Sequence, residues 1–327
     1  MIRYLNNILK IIRWKNLVII SISQIFIKFF LVDFFIQKDQ LLNENFVILL
    51  ALTILIAAAG YVVNDIYDYD LDQINKPEKV VIGKFLKSRD AILIYMASNF
   101  LAISLSIFLC VKTDNEIYIL VFLSVIYFLW LYSKKLKKYK IIGNILIAFF
   151  ISLSILNVAL FTYKNFLSDD RFFVFFIISI FSSLAFLINI KREIIKDFED
   201  IDGDKLYKIK SFPIIFGTKK SKLLIIIIGL ILMFAISSII TFQISILNSN
   251  LILDIGGNQF SNPEIWGANY ICIFFMTIIL IMFIYIELLI LNAKSKTNFT
   301  KISKLLKVLM LLSLLSLPIF SLTHFYG

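Results

Sequence analysis

Apolar residues along this chain come in long unbroken runs, punctuated by short polar segments, with no strand-like alternation between them. Nine such runs lie near 16–36, 45–63, 91–111, 117–133, 141–163, 172–190, 223–246, 268–292 and 305–323. Each approaches the roughly 20 mostly apolar residues that a helix needs to cross a bilayer. Helices suit that setting because each backbone N–H and C=O is satisfied within its own segment. The pattern predicts an all-α integral membrane protein with about nine transmembrane helices. The first run is too long for a secretory signal, and SISQIFIKFF offers no small-residue cleavage site. Residues 247–267, with Gly256, Gly257 and Pro263, form the longest outside loop, to which no role is assigned. No Pro/Gly-rich linker interrupts the pattern, so residues 1–327 read as one polytopic domain.

Composition agrees. The chain is 60% hydrophobic and 17% charged, against roughly 45–50% apolar and 25% charged in soluble domains. The net charge of +11 is no nucleic-acid signature, because the basic residues follow the order of the runs. Lys and Arg gather in 1–15, 76–89, 134–140, 191–222 and 294–307, and only Lys28, Lys38, Lys112, Lys164 and Arg171 fall elsewhere. That alternation places the N-terminus and the basic loops in the cytoplasm, and an odd number of spans places the C-terminus outside. Cys110 and Cys272 lie inside apolar runs and read as small core residues. His324 is the single histidine, which argues against histidine metal sites, catalytic triads and haem ligation.

Against this background, eight of the fifteen aspartates occupy two short windows of matched spacing. Asp65, Asp68, Asp70 and Asp72 lie in NDIYDYDLD; Asp197, Asp200, Asp202 and Asp204 lie in KDFEDIDGD. Four runs separate the windows, and an even number of crossings returns the chain to the same face, here the cytoplasmic one. The repeat also suggests two related halves, with motif loops near 64–90 and 191–222. On a helix, positions i, i+3 and i+7 share one face, which aligns Asp65, Asp68 and Asp72, and likewise Asp197, Asp200 and Asp204, while Asp70 and Asp202 point away. Three carboxylates on one stripe repel one another unless a cation bridges them. Mg²⁺ suits an all-oxygen site built from one or two carboxylates, water and phosphate oxygens. Two facing stripes could hold two Mg²⁺ ions with a diphosphate between them. Lys76, Lys79 and Lys84 follow the first window; Arg192 and Lys196 precede the second, and Lys208 and Lys210 follow it. Such cations neutralise a departing diphosphate, so this pattern favours an anionic phosphate substrate over a calcium or transport site. A single acidic run at a membrane face is usually just solvated, but two matched copies on one face are not readily explained that way.

At these residues the chain resembles the UbiA superfamily of intramembrane prenyltransferases. Asn64, Asp65, Asp68 and Asp72 read as its NDxxDxxxD motif, and Asp200 and Asp204, with Asp197 upstream, resemble its DxxxD motif. The resemblance implies a helical bundle around a central cavity, capped by cytoplasmic motif loops, in a bacterial or archaeal cell membrane. It implies Mg²⁺ held by Asn64 and the stripe aspartates, with Asp68, Asp72, Asp200 and Asp204 serving catalysis. A polyprenyl diphosphate would ionise there, and a lipophilic acceptor would capture the allylic carbon. Asn16, Tyr132, Ser133 and Asn144 fall where members contact substrate. Arg13 and Asn16 match an Arg-Pro-x-Asn element in which Trp14 replaces the proline, and Lys76 and Lys79 stand where arginines are common. NDIYDYDLDQINKPEKVVIGK is most similar to the geranylgeranylglycerol-phosphate geranylgeranyltransferase-like branch, which implies a glyceryl-lipid acceptor. Branches that prenylate aromatic quinone precursors share the same metal machinery.

A transporter is the rival of a different class, since intramembrane ionisable residues also mark ion paths. Transport predicts acids at mid-membrane and helices broken by Gly or Pro, whereas the acids here cluster at one face and the chain has four prolines. A scaffold would not need two metal-type stripes flanked by lysines. Membrane lipid is the expected surrounding, and neither nucleic acid nor an obligate protein partner is expected. Lys28 reads as snorkelling or facing the cavity, and Glu287 as pairing with Lys294.

Overall fold

The computed structural model describes residues 2–33, 44–75, 77–162, 169–249, 253–255, 258–260 and 267–325. The helices are α1 (Ile2–Ile11), α2 (Trp14–Ile27), α3 (Glu44–Tyr67), α4 (Tyr69–Asn75), α5 (Ser88–Thr113), α6 (Ile117–Lys134) and α7 (Lys140–Thr162). They continue as α8 (Asp169–Glu199), α9 (Ile201–Leu206), α10 (Phe212–Ile215), α11 (Gly217–Leu247), α12 (Tyr270–Asn292) and α13 (Lys296–Phe325). A π-helical turn, Lys28–Val32, prolongs α2. Among the described residues, nine helical stretches are long and apolar enough to cross a membrane, one for each run read from the sequence.

Helix ends differ from the hydropathy boundaries where charge is involved. The sixth run ends at residue 190 because Lys191 and Arg192 follow it, yet α8 continues to Glu199. Its backbone bonds are internal to the helix, and Lys191 finds a buried partner. The segment between α11 and α12 contains a small antiparallel hairpin, β1 (Leu253–Ile255) paired with β2 (Asn258–Phe260). Asn269 caps α12 by accepting a 2.9 Å hydrogen bond from the Cys272 N–H. Cys272 is buried, as expected, but Cys110 is only half-buried.

The chain forms two compact units. The first comprises Met1–Ile22, Leu42–Phe150 and Asp200–Ser211. Within it α3 packs against α5 and α6, and α4 packs against α9. Ile11, Val62, Val81, Ile82, Leu86 and Ala91 form a buried cluster beneath the loop that follows α4. The second unit comprises Ser23–Leu41, Ile151–Glu199 and Phe212–Gly327. Here α8 packs against α11 and α13, and α12 lies against both α11 and α13. Phe198 stacks on Phe299 with ring centroids 4.5 Å apart. Large apolar side chains such as Phe100, Val111, Phe234 and Tyr270 are left exposed, as a lipid-facing surface requires.

Lys28 is buried and pairs with Asp33 at the end of the π-helical turn. Glu287 does not pair with Lys294. Its partner is Lys191, which α8 carries into the unit's interior. The nearer lysine in sequence lies beyond the end of α12, whereas burial brings Lys191 and Glu287 into contact across two helices.

Candidate active site

Both aspartate windows fall where one helix stops and another begins. Carboxylates are unfavourable in a helix's last turn and favourable in its first, where free N–H groups carry partial positive charge. The chain turns at Asp68 between α3 and α4, and bends at Asp200 between α8 and α9. Restarting the helix places Asp70 and Asp72 in the first turn of α4, and Asp202 and Asp204 in the first turn of α9. The i, i+4 backbone bonds survive each break: Asp68 N–H donates to Asn64 O at 2.9 Å, Asp72 N–H to Asp68 O at 2.8 Å, and Asp204 N–H to Asp200 O at 2.9 Å. Asp68 and Asp204 are buried, Asp65, Asp72 and Asp200 half-buried, and Asp70 and Asp202 exposed, which is the one-sided distribution the spacing predicts.

Within the first unit the first window meets the Asp200–Asp204 part of the second. Besides the packing of α4 on α9, the Tyr207 hydroxyl reaches Asp70 O at 3.4 Å. Lys140, at the start of α7, lies 2.8 Å from Asp204 Oδ2 and 4.0 Å from Asp200 Oδ2. Asp204 Oδ1 is buried and makes no hydrogen bond among the described residues. Burial pushes the Asp204 carboxyl above the ordinary carboxylate range; Lys140 draws it back, and the Asp200 charge adds to the rise. In the first window, Asn64 Nδ2 donates to Asp68 Oδ2 at 2.9 Å. Arg13 Nη2 donates to Asp65 Oδ1 at 2.6 Å, with its guanidinium 5.0 Å from the centre of the Tyr61 ring. Among the described residues no three acidic, His or Cys groups converge tightly enough to hold a metal unaided.

The remaining expected residues are spread over both units. Lys210 N–H donates to Lys138 O at 2.8 Å, tying the second window to the basic loop, and Lys210 Nζ sits 5.3 Å from the Tyr139 ring centre. Lys84 is exposed, with Nζ donating to Pro77 O at 2.8 Å. Asn16 N–H donates to Arg13 O at 2.7 Å. The Ser133 hydroxyl is turned back onto Leu129 O at 3.0 Å, and Asn144 is buried. Tyr132 packs against Gly143, where an added Cβ would come within 2.5 Å of a ring carbon. Asp197 is buried in the second unit, and Arg192 and Lys196 both pair with Glu193 there. Lys76 lies outside the described residues; Lys79 occupies a 3₁₀ turn, Pro77–Lys79. Lys140 was not among the residues expected from the motifs. In the sequence it is one lysine of a run, and only folding separates it from the exposed Lys134, Lys135 and Lys138.

Comparison with known proteins gives a consistent picture. The model of the UbiA prenyltransferase family matches residues 27–253. A digeranylgeranylglyceryl phosphate synthase from Methanosphaera stadtmanae is 31% identical over 57% of this chain and 63% of its own length, so the chain spans less than two thirds of that relative. A solved structure concerning digeranylgeranylglyceryl phosphate synthase in membranes is similar over 97% of this chain and 98% of its own, with a TM-score of 0.64 and 27% identity. A UbiA homologue from Archaeoglobus fulgidus bound to GPP and Mg²⁺ shares the fold at 14% identity, with a TM-score of 0.55 over 95% of this chain and 99% of its own.

Proposed function

The chain belongs to the UbiA prenyltransferase family, and we propose on that premise that it transfers a polyprenyl group from a polyprenyl diphosphate to a glyceryl-phosphate-type lipid acceptor. The observation that carries the reading is the meeting, in one unit, of the first aspartate window with Asp200–Asp204 of the second, with Lys140 against Asp204. The A. fulgidus homologue bound to GPP and Mg²⁺ and the relatives named for digeranylgeranylglyceryl phosphate synthesis support the substrate class.

The donor set fits Mg²⁺. Asp204 offers a buried oxygen with no hydrogen bond among the described residues, and carboxylate oxygens are the donors Mg²⁺ takes together with water and phosphate oxygens. Asn64, Asp65, Asp68, Asp72, Asp200 and Asp204, all in the first unit, would hold it; two ions match the two windows. Bound there, Mg²⁺ would neutralise charge developing on the departing diphosphate.

The chain's own residues then have separate tasks. Lys84 and Lys210, with Lys76 and Lys79, bind the diphosphate as cations within the first unit. Asn16, Tyr132, Ser133 and Asn144 position substrate. The allylic carbon–oxygen bond breaks and its electron pair leaves with the diphosphate. The acceptor hydroxyl oxygen bonds to the allylic carbon and gives up its proton, leaving an ether. The apolar helices exclude water from the cationic carbon. The N-terminus and both windows face the cytoplasm in this reading, and the basic loops support it.

The test is diphosphate release from geranylgeranyl diphosphate by purified protein in detergent, offered geranylgeranylglyceryl phosphate, hydroxybenzoate and dihydroxynaphthoate in turn. Ether product with the glyceryl acceptor, abolished by EDTA, is expected. Product with an aromatic acceptor alone would move the chain to the quinone-precursor branch, and no metal-dependent release with any acceptor would sink the reading.

A further inference from the structure

Away from the aspartate windows, positive charge gathers in the second unit where α11 and α13 begin. Residues 288–327 hold five lysines and no carboxylate: Lys294, Lys296, Lys301, Lys304 and Lys307. Lys219, Lys220 and Lys222 open α11, and no acidic residue occurs between Lys205 and Leu253. Folding joins the two groups. Lys222 Nζ donates to Ala293 O, next to Lys294, and lies 5.8 Å from the centre of the Phe299 ring on α13. Lys219, Lys220, Lys294, Lys296, Lys301 and Lys304 are exposed.

The first turns of α13 are amphipathic. At 3.6 residues per turn, Lys296, Thr300, Lys301, Lys304 and Lys307 fall within an arc of about 140°. Phe299, Ile302, Leu306 and Leu309 are buried and fall on the opposite side, within an arc of about 80°. The basic face surrounds an open recess of about 410 Å³ lined by Lys296, Thr297, Thr300, Lys301 and Lys304. A carboxylate borders it: Glu199 Oε2 accepts a 3.3 Å hydrogen bond from the Thr300 hydroxyl. The apolar run 305–323 starts where this face ends.

Neither folding nor insertion accounts for this pattern. Lysines are unfavourable at a helix N-terminus, where the backbone dipole is already positive, and neither α11 nor α13 has an acidic residue in its first turn to offset them. Orientation in a membrane depends on how many basic residues flank a span, not on which face of the helix carries them. A basic face on an amphipathic helix beside a span is the pattern that binds anionic headgroups, and each lysine near the surface adds about fivefold in affinity.

We propose that the basic face of α13, with the lysines that open α11, is a binding site for anionic membrane phospholipid, whose headgroup phosphate sits among Lys296, Lys301 and Lys304. In a bilayer the lysine stems then lie along the mouth of the span and their ammonium groups reach the lipid phosphates. The site lies wholly within the second unit and does not depend on the prenyl-transfer reading.

Native mass spectrometry of the full chain, taken from micelles holding equal amounts of phosphatidylglycerol and phosphatidylcholine, counts the lipids it retains. Wild type should show at least about fivefold enrichment of phosphatidylglycerol. The variant carrying Lys296→Gln, Lys301→Gln and Lys304→Gln should fall to near parity, whereas Lys296→Arg, Lys301→Arg and Lys304→Arg together should keep the enrichment. These side chains are exposed, so both variants should melt with wild type. Lys134→Gln with Lys135→Gln, also exposed but in the first unit, is the control and should change nothing. In wild type, a wash at about 1 M salt should strip the enrichment seen at about 0.1 M, because the screening length contracts from about 10 to 3 Å. Absence of enrichment in wild type, its persistence in the glutamine variant or at high salt, or an equal loss in the control would overturn the site. Displacement of the lipid by an equal concentration of inorganic phosphate would overturn the lipid assignment in favour of a soluble anion.

Discussion

The aspartate windows of the first unit and the Lys191–Glu287 pair of the second place charge in a mostly apolar chain by opposite means. At the windows several acidic side chains gather, some of them half-buried, and Asp204 Oδ1 is buried with no hydrogen bond among the described residues. Lys140 offsets only part of that charge. In the second unit a single lysine meets a single carboxylate, with a carbonyl as second acceptor and a glycine making room. The first arrangement concentrates carboxylates and gains from a ligand that brings further cations. The second is neutral as built and can only lose from disturbance. Charge left uncompensated near a membrane thus marks chemistry, and charge matched one to one marks architecture.

The comparison yields tests that run from large effects to small. Asp68→Ala and Asp204→Ala should each lower turnover by about a hundredfold or more, in line with losses of single groups that stabilise transition-state charge. Melting temperature should stay near wild type for Asp68→Ala, whereas Asp204→Ala, which leaves Lys140 without its buried partner, should lower it. Wild-type turnover in both variants would break the assignment of the windows to catalysis. Glu287→Ala should show the reverse priority. Breaking one side of a buried pair costs about 3–5 kcal/mol, so thermal unfolding in detergent should shift clearly downward. An unshifted transition would mean that the pair is not sealed as described.

The smallest effect is a pH dependence. The Asp204 carboxyl is held above its ordinary range, chiefly by burial. A carboxyl whose folded pKa is raised makes folding less favourable once it ionises, so this contribution to metal-free stability declines as pH rises from the unfolded towards the folded value. Mg²⁺ prefers the ionised form, so the stabilisation it confers should grow with pH across that same window. Asp204→Asn should flatten the trend, which thermal melts with and without Mg²⁺ at stepped pH would read directly. A trend of equal slope in the variant would assign it to another carboxylate.

Much of this was legible before any coordinates. The helices followed from apolar length alone, because a membrane leaves a polar backbone few options. The one-sided burial of Asp68 and Asp204, with Asp70 and Asp202 exposed, followed from helical spacing. The sequence could not reveal that each window straddles a helix break, since break and continuation share the same i, i+4 bonds.

By itself, then, the sequence determined what is periodic or local: where the chain can span a bilayer, which aspartates share a face, and which loops carry positive charge. Tertiary structure alone decided which of many lysines matter. Lys140 reaches Asp204 across 64 residues and Lys191 reaches Glu287 across 96, while neighbouring lysines remain in solvent or turn to other partners. Long-range pairing depends on which faces of distant helices pack together, and that is set by the shapes of many apolar side chains at once. A gap such as Gly229 opens the slot for one particular pair, and no short window of sequence contains that information.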